Sequence, residues 1–137
     1  MKKLSVMIAV IFLLAASAYA MTWHVSNQWN VKWDAVTQDS EGNPIPAENI
    51  EYSIIYALED KADTQEAWRG PETQATITLD IQGQYLLGVI AHRMHEGEEV
   101  TKSDVAWSDD IASVGPAGIW GIMRFLPPQK VSGFGRD

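Results

Sequence analysis

ITLDIQGQYLLGVIA, residues 77–91, decides how the rest of this chain is read. Ile77 and Leu79 close one alternating apolar run, Gly83 permits a tight corner, and Tyr85, Leu87, Val89 and Ala91 then recur at every second position. Successive side chains of a strand point to opposite faces, so a period of two gives each of two consecutive strands one apolar face. A Tyr opening the second strand can bury its ring while its hydroxyl reaches backbone near the bend, which is the arrangement of a tyrosine corner. The expectation is a strand, a corner and a strand.

The same period runs outward in both directions. Upstream, Trp29, Val31 and Trp33 alternate with Asn30, Lys32 and Asp34, and Tyr52, Ile54 and Tyr56 alternate with Glu51, Ser53 and Ile55. Between them TQDSEGNPIPAEN (37–49) carries Gly42, Pro44 and Pro46, a loop composition. EDKADT (59–64) is a polar turn, and Trp68 sits in a short edge strand ended by Gly70 and Pro71. TQATITL (73–79) is rich in β-branched residues. Downstream, Glu96, Gly97, Glu98 and Glu99 read as a charged hairpin loop, and residues 100–108 return as a last strand with Val105 and Trp107. No window after residue 20 holds a 3.6-residue period over three turns, so the chain is read as all-β. Its structural core is expected to be Trp29, Val31, Trp33, Tyr52, Ile54, Tyr56, Ile77, Leu79, Tyr85, Leu87 and Val89.

The first residues are of another kind. Met1, Lys2 and Lys3 precede an uncharged run (4–16) and an Ala-Tyr-Ala end at 18–20, the three parts of a secretory signal peptide. The run falls short of the roughly 20 residues that cross a bilayer, so cleavage after Ala20 is expected and no membrane span remains. The protein is therefore read as exported, to the periplasm or to the cell surface and medium. Removing two of ten basic residues and none of eighteen acidic ones leaves 8 − 18 = −10. Such a surface repels nucleic acid and anionic lipid. The chain has no Cys, so disulfides cannot hold it together and packing must.

These residues, taken in order, make residues 29–110 resemble the fibronectin type III family. Trp33 in VKWDAV is similar to that family's core Trp on its second strand, and Tyr52, Ile54 and Tyr56 to its third-strand signature. Leu79, six residues before Tyr85, and the row Tyr85, Leu87, Val89, Ala91 look like its corner and sixth strand, and Gly42, Pro44 and Ile45 like a loop of bacterial members. The resemblance implies an immunoglobulin-like two-sheet sandwich. Two departures matter: Ile77 and Leu79 are only two apart where the family places an extra residue, so its corner is expected to be built slightly differently, and only eight residues (21–28) separate the cleavage point from the Trp29 strand, so the first strand is short, displaced or missing. That leaves an unpaired edge, a template for strand addition.

The expected domain spans 21–110, followed by a Gly- and Pro-punctuated tail, 111–137. Within the tail IWGIMRFL (119–126) is too apolar for an inert linker. Alternation that turns Tyr85, Leu87 and Val89 inward turns Leu86, Gly88, Ile90 and His92 outward, with Ile55 beside them. The expected partner-binding surface is therefore an exposed apolar patch of Ile55, Leu86 and Ile90 together with Trp120, Ile122, Phe125 and Leu126. The tail segment either packs in its own chain or is donated to a neighbour.

Candidate chemistry is sparse. His92 and His95 with Glu96, Glu98 and Glu99 suggest metal ligands, but residues three apart on a strand face opposite ways, so a solvated hairpin end is expected. Asp39, Glu41, Gly42 and Asn43 read as a turn; as a calcium loop they lack the remaining ligands. No nucleophile motif or phosphate loop is present. Trp68, Trp107 and Trp120 are the candidates for stacking on sugar rings. The functional expectation is a non-catalytic protein-interaction or structural subunit of an exported assembly, with no metal or cofactor; the alternative is an accessory carbohydrate-binding module.

Overall fold

The computed structural model describes residues 20–136, so the expected signal segment lies outside the described residues except for Ala20. The alternating runs form nine strands: β1 (Thr22–Val25), β2 (Gln28–Lys32), β3 (Ile50–Ala57), β4 (Gln65–Gly70), β5 (Gln74–Thr78), β6 (Gly83–His95), β7 (Glu98–Lys102), β8 (Ala106–Trp107) and β9 (Trp120–Arg124). One 3-10 turn, Ala47–Asn49, leads into β3. The strands make two sheets. The larger runs β1-β9-β6-β3-β4, with β7 and β8 also on β6, and the smaller contains β2 and β5 alone. The chain is an all-β sandwich.

β6 organises the large sheet, because β3 pairs along one of its edges while three strands share the other. β9 pairs at Gly83–Tyr85, β8 at Gly88 and Val89, and β7 beyond His92. The return strand expected at 100–108 is thus two pieces, and the β6–β7 hairpin closes over only Glu96 and Gly97. Both residues have positive φ (52° and 82°), the backbone a tight two-residue hairpin turn needs.

Between the sheets Ile54, Ile77, Leu79, Tyr85, Leu87 and Ile122 are buried, with Trp29, Val31, Trp33, Tyr56, Val89 and Trp120 packed against them. A second cluster joins Tyr52 to Ile45 and Ile50. The Tyr52 hydroxyl accepts a hydrogen bond from the Val36 amide at 2.9 Å, tying the 37–49 loop to the sheet. The Tyr85 ring is buried as expected, but the role of Gly83 differs from expectation. Gly83 lies in extended backbone, and a Cβ there would meet the Tyr85 ring and hydroxyl at 3.1 Å. Glycine at 83 makes room for that ring. The Tyr85 hydroxyl donates to the Gln82 carbonyl at 3.4 Å, long for such a bond.

Three expectations need correction. Ile55, Leu86 and Ile90 do lie on the face away from the other sheet, but they are only 8, 1 and 8 % exposed, so no bare apolar patch exists there. β8 sets Trp107 opposite Gly88, and a Cβ on Gly88 would meet Val105 at 2.5 Å, Trp107 at 3.1 Å and Ile55 at 3.3 Å. The missing side chain at 88 lets Val105 and Trp107 lie across the outer face. Lys61 then caps the Trp107 ring at 5.2 Å while pairing with Asp109 at 3.0 Å.

Second, the sandwich does not stop at Asp110. β9 is an interior strand between β1 and β6, with Gly121 and Ile122 buried. Trp120 and Ile122 from the expected partner surface are therefore packed in their own chain, whereas Phe125 and Leu126 are each 52 % exposed. Third, His92 is not solvated: it is 6 % exposed, as the next section describes.

Candidate functional site: the open flank of the sandwich

The first strand is displaced, and its displacement creates the most distinctive surface. β1 runs parallel to β9, Thr22 beside Trp120 through Val25 beside Met123, instead of pairing with β2. Gly121 permits this: a Cβ there would lie 2.5 Å from the Trp23 ring and 2.7 Å from Met21. The chain changes sheets within two residues. Ser26 holds the crossing, its hydroxyl accepting from the Gln28 amide at 3.1 Å and donating to the Gln28 carbonyl at 2.5 Å.

Among the described residues β2 consequently has one partner strand, β5. Leu79 N donates to Asn27 O and Trp33 N to Thr73 O, which fixes the parity of the β2–β5 ladder. Trp29, Val31 and Trp33 turn their backbone groups toward β5, and Gln28, Asn30 and Lys32 turn theirs away. Ser26 occupies those of Gln28. Among the described residues nothing hydrogen-bonds the outward amides and carbonyls of Asn30 and Lys32.

Beside this edge the two layers stand apart. A cleft of about 450 Å³ is lined by Val31, Trp33, Ile54, Leu87, Val89 and Trp120, with Lys32, Asp34, Ser108 and Ser113 among its polar residues. Core side chains thus line an opening rather than an interface. Trp33 Nε1 is buried with no acceptor in reach, an N–H of the kind that folded proteins nearly always satisfy.

A smaller cleft of about 250 Å³ lies behind Trp120. His24 stacks on Trp29 at 4.3 Å, and Trp120 stands 6.4 Å from Trp29. Of the three Trp singled out for sugar stacking, only Trp120 faces such a cleft. Trp68 abuts Trp33 edge-on at 5.6 Å, and Trp107 is held beneath Lys61.

The outer face of the large sheet carries a polar network that sequence reading missed. Ser53 Oγ lies 2.7 Å from His92 Nε2, and His92 Nδ1 bonds Glu99 Oε1. Arg69 bridges Glu99 at 3.5 Å and Glu51 at 3.0 Å. An ionised carboxylate only accepts, so Nδ1 carries the proton toward Glu99 and, on the neutral ring, Nε2 accepts from Ser53. The order serine, imidazole, carboxylate matches a nucleophile relay. Ser53, however, is 2 % exposed between two paired strands, so the trio reads as a clamp, buried at Ser53 and His92 and open at Glu99, that ties β3, β6 and β7. The signal was a lone Ser and His at outward positions of adjacent strands, visible only once the register is known.

Desolvation pushes the Glu99 carboxyl up, but the His92 hydrogen bond and charge, with Arg69 and Lys102, outweigh it and hold it below the ordinary glutamate value. A group with a depressed folded-state pKa adds stability that is present above its unfolded value and lost as pH falls through the folded one. Glu99→Gln is therefore expected to lower the thermal midpoint at neutral pH and to approach wild type only as pH falls below the ordinary glutamate value, through the depressed folded-state value of Glu99. Equal gaps between the two proteins across pH 3–7 in circular-dichroism melts would refute this role.

The two motifs considered for metals resolve differently. Asp39 Oδ1 accepts from the amides of Glu41 and Asn43, both at 2.9 Å, and Gly42 turns at φ 85°. The Asn43 amide bond leads in holding the Asp39 carboxyl below its usual range; partial burial opposes it, and Glu41 and Arg93 assist. His95 is exposed and only reaches Glu96, at 3.9 Å, while His92 faces Ser53 and Glu99. Among the described residues no three His, Asp or Glu side chains group closely enough to hold a metal ion, and no helix is long and apolar enough to cross a membrane. No protein-family model matches this chain, and no curated protein sequence matches it.

Proposed function

We propose that this protein is a non-catalytic interaction or structural subunit of an exported, cell-surface or extracellular assembly, built on a fibronectin type III-like sandwich, and that it binds through strand addition at the β2 edge. The observation that carries the reading is the displacement of β1: among the described residues it leaves the outward backbone groups of Asn30 and Lys32 unpaired beside a cleft lined by core side chains. An extended segment laid along β2 would gain main-chain hydrogen bonds from this edge and side-chain specificity from the cleft. The surface follows from the fold rather than from Ile55, Leu86 and Ile90, which are covered.

The test uses proline as a selective block. The Asn30 amide points away from β5, so Asn30→Pro removes an outward donor and spares the ladder. Mature wild type, immobilised against the envelope and secreted fractions of its own organism, should retain a discrete partner, and Asn30→Pro with an unchanged melting curve should lose it. Equal retention by both would overturn binding at this edge.

A second reading as a carbohydrate-binding module is favoured by the aromatic cleft of His24, Trp29 and Trp120. It requires Trp emission to respond to polysaccharide and Trp120→Ala to abolish the response.

A further inference from the structure

We propose that the segment filling the open flank is residues 129–134 of a second copy of this chain, so that the protein assembles by donating its C-terminal tail to the β2 edge of a neighbour. The inference rests on the β2 edge being the binding surface and names the occupant.

Donor and acceptor lie in one sequence. Among the described residues, 127–136 form the longest stretch outside the hydrogen-bonded fold; the last tie is Leu126 N donating to Gln82 Oε1 at 3.1 Å. This stretch holds the two most exposed large apolar side chains, Val131 at 78 % and Phe134 at 97 %. Pro127 and Pro128 favour an extended, stiff base that points the tail away from its own body.

The acceptor asks for what the tail offers. The free edge is short, Asn30 to Lys32, and a four-residue strand, 129–132, suffices to pair it. With Val131 turned into the cleft, Lys130 and Ser132 face solvent beside Asn30 and Lys32. Gly133, at φ 69°, ends the strand, as suits so short an edge.

Charge selects the same segment. Residues 21–126 carry six basic and seventeen acidic side chains, 6 − 17 = −11, and 127–137 carry Lys130, Arg136 and Asp137, 2 − 1 = +1. Two such bodies repel, and the tail is the part of each whose net charge, +1, is opposite to that of its neighbour's body.

The absence of native Cys makes the test clean. Asn30→Cys and Ser132→Cys proteins are mixed and oxidised mildly, with Asn30→Cys plus Ile111→Cys as control, since Ile111 is exposed and lies outside the tail. Docking places the paired thiols at an effective concentration far above bulk, so the mixed dimer is expected in about tenfold excess over the control. A chain ended at Leu126 should be a monomer that still unfolds in one cooperative transition, where wild type is dimeric or larger with a midpoint that rises with protein concentration. A mixed yield equal to the control, or a monomeric wild type, overturns the proposal. So does an Asn30→Cys, Ser132→Cys double variant that closes within single chains, because the tail would then be docking in cis. If these fail while Asn30→Pro still loses a different protein, the β2 edge remains a binding surface and only the second copy is wrong.

Discussion

A chain ended at Asp110 is expected not to fold. The cut removes β9, and with it the partner of β1 and the strand that covers β6 at Gly83–Tyr85. It also removes Ile122, 1 % exposed between the sheets, and Trp120 packed beside it. Deleting one such side chain to Ala costs about 2–5 kcal/mol, and whole domains hold only about 5–15 kcal/mol. Ile122→Ala is the single-site version of this test and should lose a sizeable share of the stability in urea unfolding. A soluble 21–110 fragment with the thermal midpoint of the longer chain would show that β9 is no part of the cooperative unit.

The second large effect concerns the outer face. Leu86→Ala is expected to cost about 2–5 kcal/mol, the range for a buried Leu, because Leu86 is 1 % exposed. Had the face been bare, the change would fall within about 0.5 kcal/mol, as for most surface substitutions. Gly88 and Trp107 explain the difference. Where no Cβ stands on Gly88, Val105 and Trp107 come in against the outer face beside Ile55. An unfolding midpoint for Leu86→Ala equal to wild type would mean that this cover is loose in solution.

The two effects mark where local reading succeeds and where it stops. Tyr85, Leu87 and Val89 alternate with Leu86, Gly88 and Ile90, and this parity survives folding intact: the first set faces the other sheet and the second does not. Parity says which side a residue takes but nothing about what lies above it. Leu86 therefore looked exposed when it is covered, and His92 looked like a wet hairpin end when Ser53, thirty-nine positions away, accompanies it at 2.7 Å. The tail reading shows the same split. Its apolar run demanded contact, and the contact is β9 in its own sheet.

Strand positions, the inward rows and the tight turns follow from neighbours a few residues apart, since a period of two and the φ preferences of Gly and Pro are short-range properties. The seat of β9 between β1 and β6, the burial of Ile55, Leu86 and Ile90, and the bare edge at Asn30 and Lys32 were settled in three dimensions. Each depends on which distant segments compete for one edge of β6 and one face of its sheet, and that contest is won by pairing and packing across the whole chain.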